Sequence, residues 1–168
     1  MESVNAWKPA VAGIREVLHA RFIQHAYPPH THDTWTLFIV DQGAITYGLD
    51  RHTRDAAGSM VSVLPPHAVH DGRPATGDGF RKRVLYVETS MLGEGLIGRA
   101  VDVPVIPGAF IRERVSALHD ALSCRDDALE AELRFATIAE HIRAALGDRK
   151  STRLNSSHIQ KSRMPSSA

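Results

Sequence analysis

Cysteine is almost missing from this chain of 168 residues, which contains Cys124 and no other. One thiol cannot form an internal disulfide, and a metal site built from several thiolates is also excluded. Apolar runs of the ~18–20 residues that a membrane helix needs are missing as well. Residues 1–7 carry the acidic Glu2 and lack the apolar core of a secretory signal. We therefore expect a soluble, cytoplasmic protein without a membrane partner.

The sequence also lacks the short motifs of two large classes of enzyme. It has no glycine-rich phosphate-binding loop and no Ser, His and Asp in the order typical of hydrolases. A strong net charge is missing too, since 20 basic residues face 19 acidic ones. Five basic residues and no acidic ones lie in residues 149–168, so residues 1–148 carry about −4. Because affinity for nucleic acid depends on neutralising phosphates, we expect no direct nucleic-acid binding by this fragment.

The end of the chain, residues 149–168, differs in composition from the rest. It is basic and rich in serine, and its few apolar residues follow no repeating face. Such a segment cannot bury enough apolar surface to offset the entropy lost on ordering. It also resembles adapter sequence translated as protein, so we expect a disordered, non-native tail. A tail that binds nucleic acid is the alternative, which the lack of an aromatic residue for base stacking disfavours.

Two stretches of the sequence carry closely spaced histidines. In residues 30–43, His30 and His32 are two positions apart, so on an extended strand both imidazoles point to one face. In residues 58–72, a short apolar run ends at two prolines and His70 follows. This spacing predicts that three imidazoles from two strands converge inside a β-barrel.

Short apolar or alternating runs, separated by turn residues, predict β-structure up to about residue 89. The residues between two of these runs, 41–43, predict a hairpin turn. Trp35 has the opposite parity to His32, so we expect it on the outer side of the sheet, against a helix or a partner. The predicted strands cover residues 17–24, 35–40, 44–49, 60–64 and 81–88.

After Glu88 the apolar pattern changes to a helical period. Residues 90–99 predict a short helix with Ser90 as its cap. Residues 109–122 and 126–146 predict two amphipathic helices. The apolar stripe of the first is predicted to be Ile111, Val115, Leu118 and Leu122. That of the second is predicted to be Leu129, Leu133, Ala136, Ile138, Ile142 and Leu146.

The two histidine stretches resemble the two motifs of the cupin family. The first cupin motif has His-x-His, three or four further residues, Glu, six further residues and then Gly. Here Thr36 stands at the Glu position and Gly43 at the Gly position. The second has Gly, an apolar strand and Pro-x-Gly-x-x-His. Here these positions are Gly58, Pro65, His67 and His70, with His67 in place of the second Gly and one extra residue before Pro65.

Within the cupins, residues 21–90 are similar to the effector-binding domain of AraC-type transcription regulators. The segments FIQHAYPPHTHDTWTLFIVDQG, VSVLPPHAVHDGRP and KRVLYVE carry this likeness. The resemblance implies a mainly β fold, a cupin-like double-stranded β-helix (jelly-roll barrel) followed by two amphipathic α-helices. It implies an effector-binding barrel at 1–89, a helical dimerisation or linker segment at 90–148 and the tail at 149–168. Nothing matches the helix-turn-helix units of such regulators, so we expect a chain truncated before the DNA-binding domain.

The resemblance implies an effector-sensing and dimerisation domain, not an enzyme. We expect a small-molecule effector as the partner, a homodimer through the C-terminal helices and no cofactor. Packing of the helices within one chain alone is the alternative to dimerisation. The residues expected to line the ligand pocket are His30, His32, Thr34, Thr36, Phe38, Tyr47 and His70.

A metal-dependent cupin enzyme, such as a dioxygenase or isomerase, is the alternative function. His30, His32 and His70 would then hold a divalent transition metal and leave positions open for substrate. The usual Glu ligand is replaced by Thr36, and Glu88 or Asp71 could substitute for it only if the fold brings them in. A third hypothesis is a structural dimerisation piece with a filled barrel.

The basic run at residues 81–83 allows two interpretations. Arg81, Lys82 and Arg83 could pair with an anionic effector. Alternatively, they could mark a solvated strand at the edge of a sheet, where lysines and arginines are frequent.

Overall fold

The computed structural model describes residues 1–148, and the predicted tail lies outside the described residues. The strands are β1 (Ser3–Trp7), β2 (Ile14–Phe22), β3 (Tyr27–His30), β4 (Trp35–Gly43), β5 (Ile45–Leu49), β6 (His52–Ala56), β7 (Met60–Leu64), β8 (His70–Pro74), β9 (Phe80–Val87) and β10 (Val105–Pro107). The helices are α1 (Thr89–Leu92), α2 (Ile97–Asp102), α3 (Ala109–Leu122) and α4 (Ala128–Gly147).

Within residues 1–148 the strands form two antiparallel sheets. One has the order β1-β2-β9-β4-β7-β10 and the other β3-β8-β5-β6. Their inner faces meet in an apolar interior to which the first sheet contributes Phe38 and Val84 and the second Ile45 and Leu49. This arrangement confirms the predicted fold, a cupin-like jelly roll followed by helices.

Strand β4 is apolar on both faces because both faces are covered. Phe38 and Val40 point into the barrel, whereas Leu37 and Ile39 belong to a second core between the outer face and the helices. Trp35 is fully buried in this second core, together with residues of α3 and α4. Its predicted position on the outer side of the sheet, against helices, is therefore confirmed.

The apolar stripe predicted for α3 is confirmed, because all four of its residues are buried. The stripe predicted for α4 is partly wrong. Leu129 and Leu133 are 70% and 64% exposed, and Ala136 is exposed as well. The helix carries apolar residues on two neighbouring faces, and periodicity alone cannot decide which face is buried. The buried face consists of Ala131, Phe135, Ile138, Ala139, Ile142 and Leu146.

The hairpin turn predicted at residues 41–43 is wrong. β4 continues to Gly43, and β5 pairs with β6 and β8 in the other sheet instead of returning along β4. Gly43 has a φ of +72°, a left-handed conformation in which the chain leaves one sheet for the other. The same glycine that suggests a hairpin in the sequence therefore makes a crossover between sheets.

The single helix predicted at residues 90–99 is interrupted. Gly93 has a φ of +86° and ends α1, after which a 3-10 turn at residues 94–96 leads into α2. The residue before α1 is Glu88, and Ser90 lies inside the helix instead of capping it. Further along, β10 returns from the predicted helical segment and pairs with β7.

Candidate functional site

The structure brings the three predicted histidines together at one end of the barrel. His30 and His70 are register partners on the adjacent strands β3 and β8, and their ring centroids are 4.4 Å apart. His32 lies in the link between β3 and β4, with ring centroids 5.0 Å from His30 and 5.2 Å from His70. We refer to His30, His32 and His70 as the histidine cluster.

The prediction that His30 and His32 lie on one strand is wrong, although the three histidines meet. β3 ends at His30 in one sheet, and β4 begins at Trp35 in the other. His32 is held instead by the loop after β7, because the His67 backbone N–H donates to the His32 carbonyl at 2.7 Å. His67 has a φ of +64°, so it adopts the conformation for which the cupin motif supplies glycine.

Hydrogen bonds fix the tautomers of two members of the histidine cluster. His30 Nδ1 lies 2.7 Å from the Pro28 carbonyl oxygen, and His70 Nδ1 lies 2.9 Å from that of Ala68. A carbonyl oxygen only accepts, so each Nδ1 carries the proton and donates it. An imidazole whose one proton is on Nδ1 has its lone pair on Nε2, and this is the atom that could ligate a metal.

The surroundings of His32 and His70 favour their neutral form. Burial lowers the pKa of His70 to about 4, and the neighbouring His30, His32 and Lys82 act in the same direction. The hydrogen bond to Ala68 opposes this shift without cancelling it. Burial also lowers the pKa of His32, with a further contribution from His30. His32 and His70 are therefore uncharged at neutral pH.

A cavity of about 50 Å³ lies inside the barrel beside the histidine cluster. Ligand pockets for drug-sized molecules are usually ~300–1,000 Å³, so this barrel cavity fits a much smaller molecule. One water molecule needs ~10–15 Å³ of such solvent-accessible volume, so the cavity has room for only a few non-hydrogen atoms. The barrel cavity is lined by Tyr27, His30, His32, Thr36, Phe38, Ile45, Tyr47, Leu64, His70, Asp71, Gly72, Phe80, Lys82 and Tyr86.

Six of the seven residues predicted for the pocket line this cavity. Thr34 is the exception, since it is buried but does not line the cavity. Asp71 was considered only as a substitute metal ligand and Lys82 only as part of a basic run, and Tyr27, Tyr86 and the remaining lining residues were not predicted. The alternation along β9 gives the missing signal, because Lys82 and Tyr86 share the parity of the inward-facing Val84.

Two hydroxyl groups at the barrel cavity lack hydrogen bonds to any residue in 1–148. Thr36 Oγ1 and Tyr47 Oη are buried there without a partner, and their residues are only 6% and 2% exposed. The Ser62 hydroxyl is near enough to Tyr47 to oppose the rise in its pKa that burial causes, but no hydrogen bond of normal geometry forms. Buried polar groups are rarely left unpaired, so a polar ligand or water would complete both hydroxyls.

No carboxylate joins the histidine cluster within residues 1–148. Glu88 is held outside the barrel by Arg15, which donates to both of its carboxylate oxygens. Asp71 lines the barrel cavity, but its Oδ1 accepts the Gly48 backbone N–H at 2.6 Å. A three-nitrogen donor set remains, with its ligand atoms within 4.8 Å of one another.

The basic run at residues 81–83 does not lie at a sheet edge, because β9 is flanked by β2 and β4. The interpretation as a solvated edge is therefore wrong. Arg81 is exposed, Lys82 lines the barrel cavity, and Arg83 points to the outer face. There Arg83 donates to both carboxylate oxygens of Asp41, at 2.8 and 2.9 Å.

Two antiparallel sheets around a small histidine-lined cavity define a cupin-type barrel. Residues 13–139 match the family model described as the AraC-like ligand binding domain, so the chain belongs to that family. Comparison with curated protein sequences finds no match. Within residues 1–148, no helix combines the length and apolar character needed to cross a membrane.

Several solved structures are similar to this chain. A cupin superfamily protein from Desulfitobacterium hafniense has 15% identity and a TM-score of 0.44, covering 51% of this chain and 78% of that one. The Cnp3 cupin domain of Schizosaccharomyces pombe has 10% identity and a TM-score of 0.48, covering 54% and 66%. An oxalate decarboxylase variant of Bacillus subtilis has 12% identity and a TM-score of 0.42, covering 47% and 22%. Similarities this distant carry no information about ligand or activity.

Proposed function

We propose that the barrel senses a small-molecule effector and that the chain is the sensory and dimerisation part of an AraC-type transcription regulator. The observation that carries this proposal is the barrel cavity, with its histidine cluster and two hydroxyls that are unpaired within residues 1–148, in a member of the AraC-like ligand-binding family. The missing carboxylate ligand favours a sensor over a metal-dependent enzyme. We also propose that the chain divides into an effector-binding barrel at residues 1–89, a helical dimerisation or linker segment at 90–148 and a tail at 149–168.

The sensor would signal through strand β9, whose two faces contact the barrel cavity and the helices. Lys82 lies on the inner face, and the neighbouring Arg83 donates to Ser116 Oγ of α3 at 2.7 Å. Asp41 of β4 also accepts a bond from Arg112 of α3, at 2.8 Å. An effector would act on α3 by binding one arrangement of sheet and helix better than another.

A ligand screen on a matched pair of proteins tests the sensor proposal. Gly72 lines the barrel cavity, and a Cβ built on it would meet its neighbours at 3.8–3.9 Å, an ordinary contact. Gly72→Val would therefore fill the cavity while leaving the barrel intact. Thermal unfolding is measured with small polar metabolites, sugars and organic acids added to both proteins.

We expect at least one compound to stabilise the wild type, by RT ln(1 + [L]/Kd), and to leave Gly72→Val unchanged. Gly72→Ala serves as the control for the loss of glycine, because a single methyl group occupies less of the cavity. Equal stabilisation of wild type and Gly72→Val, or no stabilisation by any compound, would contradict sensing in the barrel cavity.

The exposed face of α4 supports the proposed homodimer. Leu129, Leu133 and Ala136 lie one turn apart on one side of the helix and are exposed, although the opposite side is packed in the core. Exposed leucines at helical spacing fit the same face of a second copy better than they fit water. We therefore propose that α4 forms the dimer contact.

Leu133→Glu in α4 is expected to weaken this dimer at least ~30-fold, because a charge would be buried at the centre of an apolar contact. The measurement is the dissociation constant from sedimentation equilibrium. His141→Glu adds the same charge at an exposed position on another side of α4 and should leave dimerisation unchanged. A monomeric wild type, or equal dissociation constants for Leu133→Glu and wild type, would contradict the dimer proposal.

A metal-dependent cupin enzyme is the second candidate, which the free Nε2 atoms of the histidine cluster favour. Neutral imidazoles suit divalent transition metals such as zinc, iron, nickel or copper. The three histidines would hold the ion, which would act as a Lewis acid towards a bound substrate. Elemental analysis of protein purified without chelators separates the candidates. One equivalent of metal that is lost in His70→Ala supports the second candidate, and a trace amount supports the sensor without metal.

A further inference from the structure

We propose that the barrel cavity recognises a small carboxylate anion and that Lys82 forms the ion pair with it. This inference rests on the proposed sensor function and specifies the chemical class of its effector. The observation behind it is a lysine that faces the inside of the barrel and forms no ion pair within 4.0 Å in residues 1–148.

The position of Lys82 is set by the register of the central strands. It lies opposite Ala20 of β2 and Val40 of β4, and both of these residues belong to the inner core. Its ammonium nitrogen lies 4.4 Å from the centroid of the Tyr27 ring. The rings of Phe38 and Phe80 are 5.8 and 5.9 Å away. The side chain therefore ends among aromatic rings at the barrel cavity.

Lys82 forms no ion pair within 4.0 Å and no hydrogen bond with its side chain in the described part of the chain. Asp71 is the acidic residue that lines the same cavity, but its Oδ1 is already bonded to the Gly48 backbone. A cation interacts more weakly with aromatic rings than with a carboxylate. The ammonium group of Lys82 would therefore gain a stronger interaction if an anion entered the cavity.

The charge of Lys82 persists at neutral pH despite its surroundings. Burial lowers its pKa to about 8, which leaves most of the lysine protonated at pH 7. Lys82 is half-buried, and a partly desolvated charge without a partner costs stability, which an anion that enters the cavity would restore. The binding of a carboxylate would thus be coupled directly to the stability of the barrel.

The other polar groups of the cavity and its size narrow the ligand further. Thr36 and Tyr47 present hydroxyls without partners, and each can donate a hydrogen bond to a carboxylate oxygen. A cavity of about 50 Å³ fits a carboxylate of two or three carbons and excludes sugars or aromatic acids in this conformation. Acetate and propionate are therefore the probes, and acetamide and propionamide are uncharged molecules of the same shape.

The first experiment compares the charged and uncharged probes on the wild-type protein. Thermal unfolding is followed with sodium acetate or propionate against sodium chloride of equal ionic strength, and dissociation constants are measured by saturation-transfer NMR. We expect the carboxylates to stabilise the protein and to bind at least ~10-fold more tightly than the amides, as a charge-assisted bond requires. Equal affinity for acetate and acetamide would overturn the inference.

The second experiment compares two variants of the same strand. Lys82→Met retains the length of the side chain without its charge, so we expect it to unfold at a higher temperature than wild type and to bind acetate at least ~10-fold less tightly. Arg81→Met removes the same charge from an exposed neighbouring position and should bind acetate like the wild type. Undiminished acetate binding by Lys82→Met would overturn the role of Lys82.

The outcomes separate this inference from the sensor proposal. If uncharged metabolites stabilise the wild type but not Gly72→Val, while carboxylates have no effect, the sensor proposal is supported and the carboxylate inference is wrong. If neither class of compound binds, both are wrong. If carboxylates bind and Lys82→Met abolishes the effect, both are supported.

Discussion

Asp41→Ala is expected to lower the free energy of unfolding by about 3–5 kcal/mol. The Asp41 side chain is 11% exposed and accepts hydrogen bonds from Arg83 of β9 and Arg112 of α3. The side chains of the two arginines are 14% and 21% exposed, so alanine would leave two largely buried cations without their shared anion. Chemical denaturation in urea at pH 7 measures the change.

The pKa of Asp41 reflects this balance of charges. Burial on its own would raise the pKa of the carboxyl group, but the hydrogen bonds and positive charges of Arg83 and Arg112 outweigh burial and hold the pKa below its usual value. The carboxylate is thus charged at neutral pH and neutralises part of the arginine pair. Its loss removes the partner and retains the desolvated charges, which is why the expected cost exceeds that of a surface ion pair.

Asp120→Ala is the matched control for this prediction. Asp120 also contacts Arg83, at 3.3 Å, but its side chain is 77% exposed, so its removal should cost less than about 1 kcal/mol. Replacing Asp41, Arg83 and Arg112 together with apolar residues should recover most of the stability lost in Asp41→Ala, because no unpaired charge remains. An Asp41→Ala variant as stable as Asp120→Ala would show that the arginines find other partners and that the buried pair is unimportant.

This salt bridge also joins the parts on which the proposed function depends. Lys82 and Arg83 are neighbours on β9, and their side chains point to opposite faces of the sheet. One reaches the barrel cavity, and the other binds Asp41 and the α3 residue Ser116. A shift of β9 on effector binding would therefore be transmitted to α3 over the width of one strand.

The histidine cluster could be predicted from the sequence, although for a partly mistaken reason. Parity along a single strand placed His30 and His32 on one face, whereas in the structure β3 ends at His30 and His32 lies in the link that leads to β4. The spacing of the cupin motifs predicted correctly that the three histidines meet. This spacing reflects loops as well as strands, so it does not require His30 and His32 to share one strand. The backbone bond from His67 to His32, at 2.7 Å, is such a loop contact.

Other features could not be read from local pattern because they depend on which surfaces meet. The apolar residues of α4 satisfy helical spacing on two faces, and only packing against the outer sheet selects the one with Phe135. The basic run at residues 81–83 looks like a surface in sequence. In the structure β9 lies between β2 and β4, so both faces of this strand are covered and Lys82 and Arg83 point to opposite faces of the sheet.

Gly43→Ala is expected to destabilise the protein by about 3 kcal/mol or more, as left-handed strain and a backbone clash combine. Gly43 has a φ of +72°, and a Cβ at this position would lie 2.0 Å from the Gly79 carbonyl oxygen. The obstacle is main chain at the start of β9, so no side-chain rotation can relieve it. The free energy of unfolding in urea is again the measurement.

Gly58→Ala is the control, since Gly58 is also a motif glycine, the one that begins the second cupin motif. Its φ is not left-handed, and an added Cβ would meet only the Val40 carbonyl oxygen, at 3.9 Å. We expect Gly58→Ala to leave stability unchanged within about 1 kcal/mol, or to raise it slightly by restricting the unfolded chain. Similar losses in both variants would mean that a general preference for glycine explains them. A loss confined to Gly43→Ala would show that this chain needs glycine at residue 43 because it crosses between the sheets there, against the backbone of Gly79.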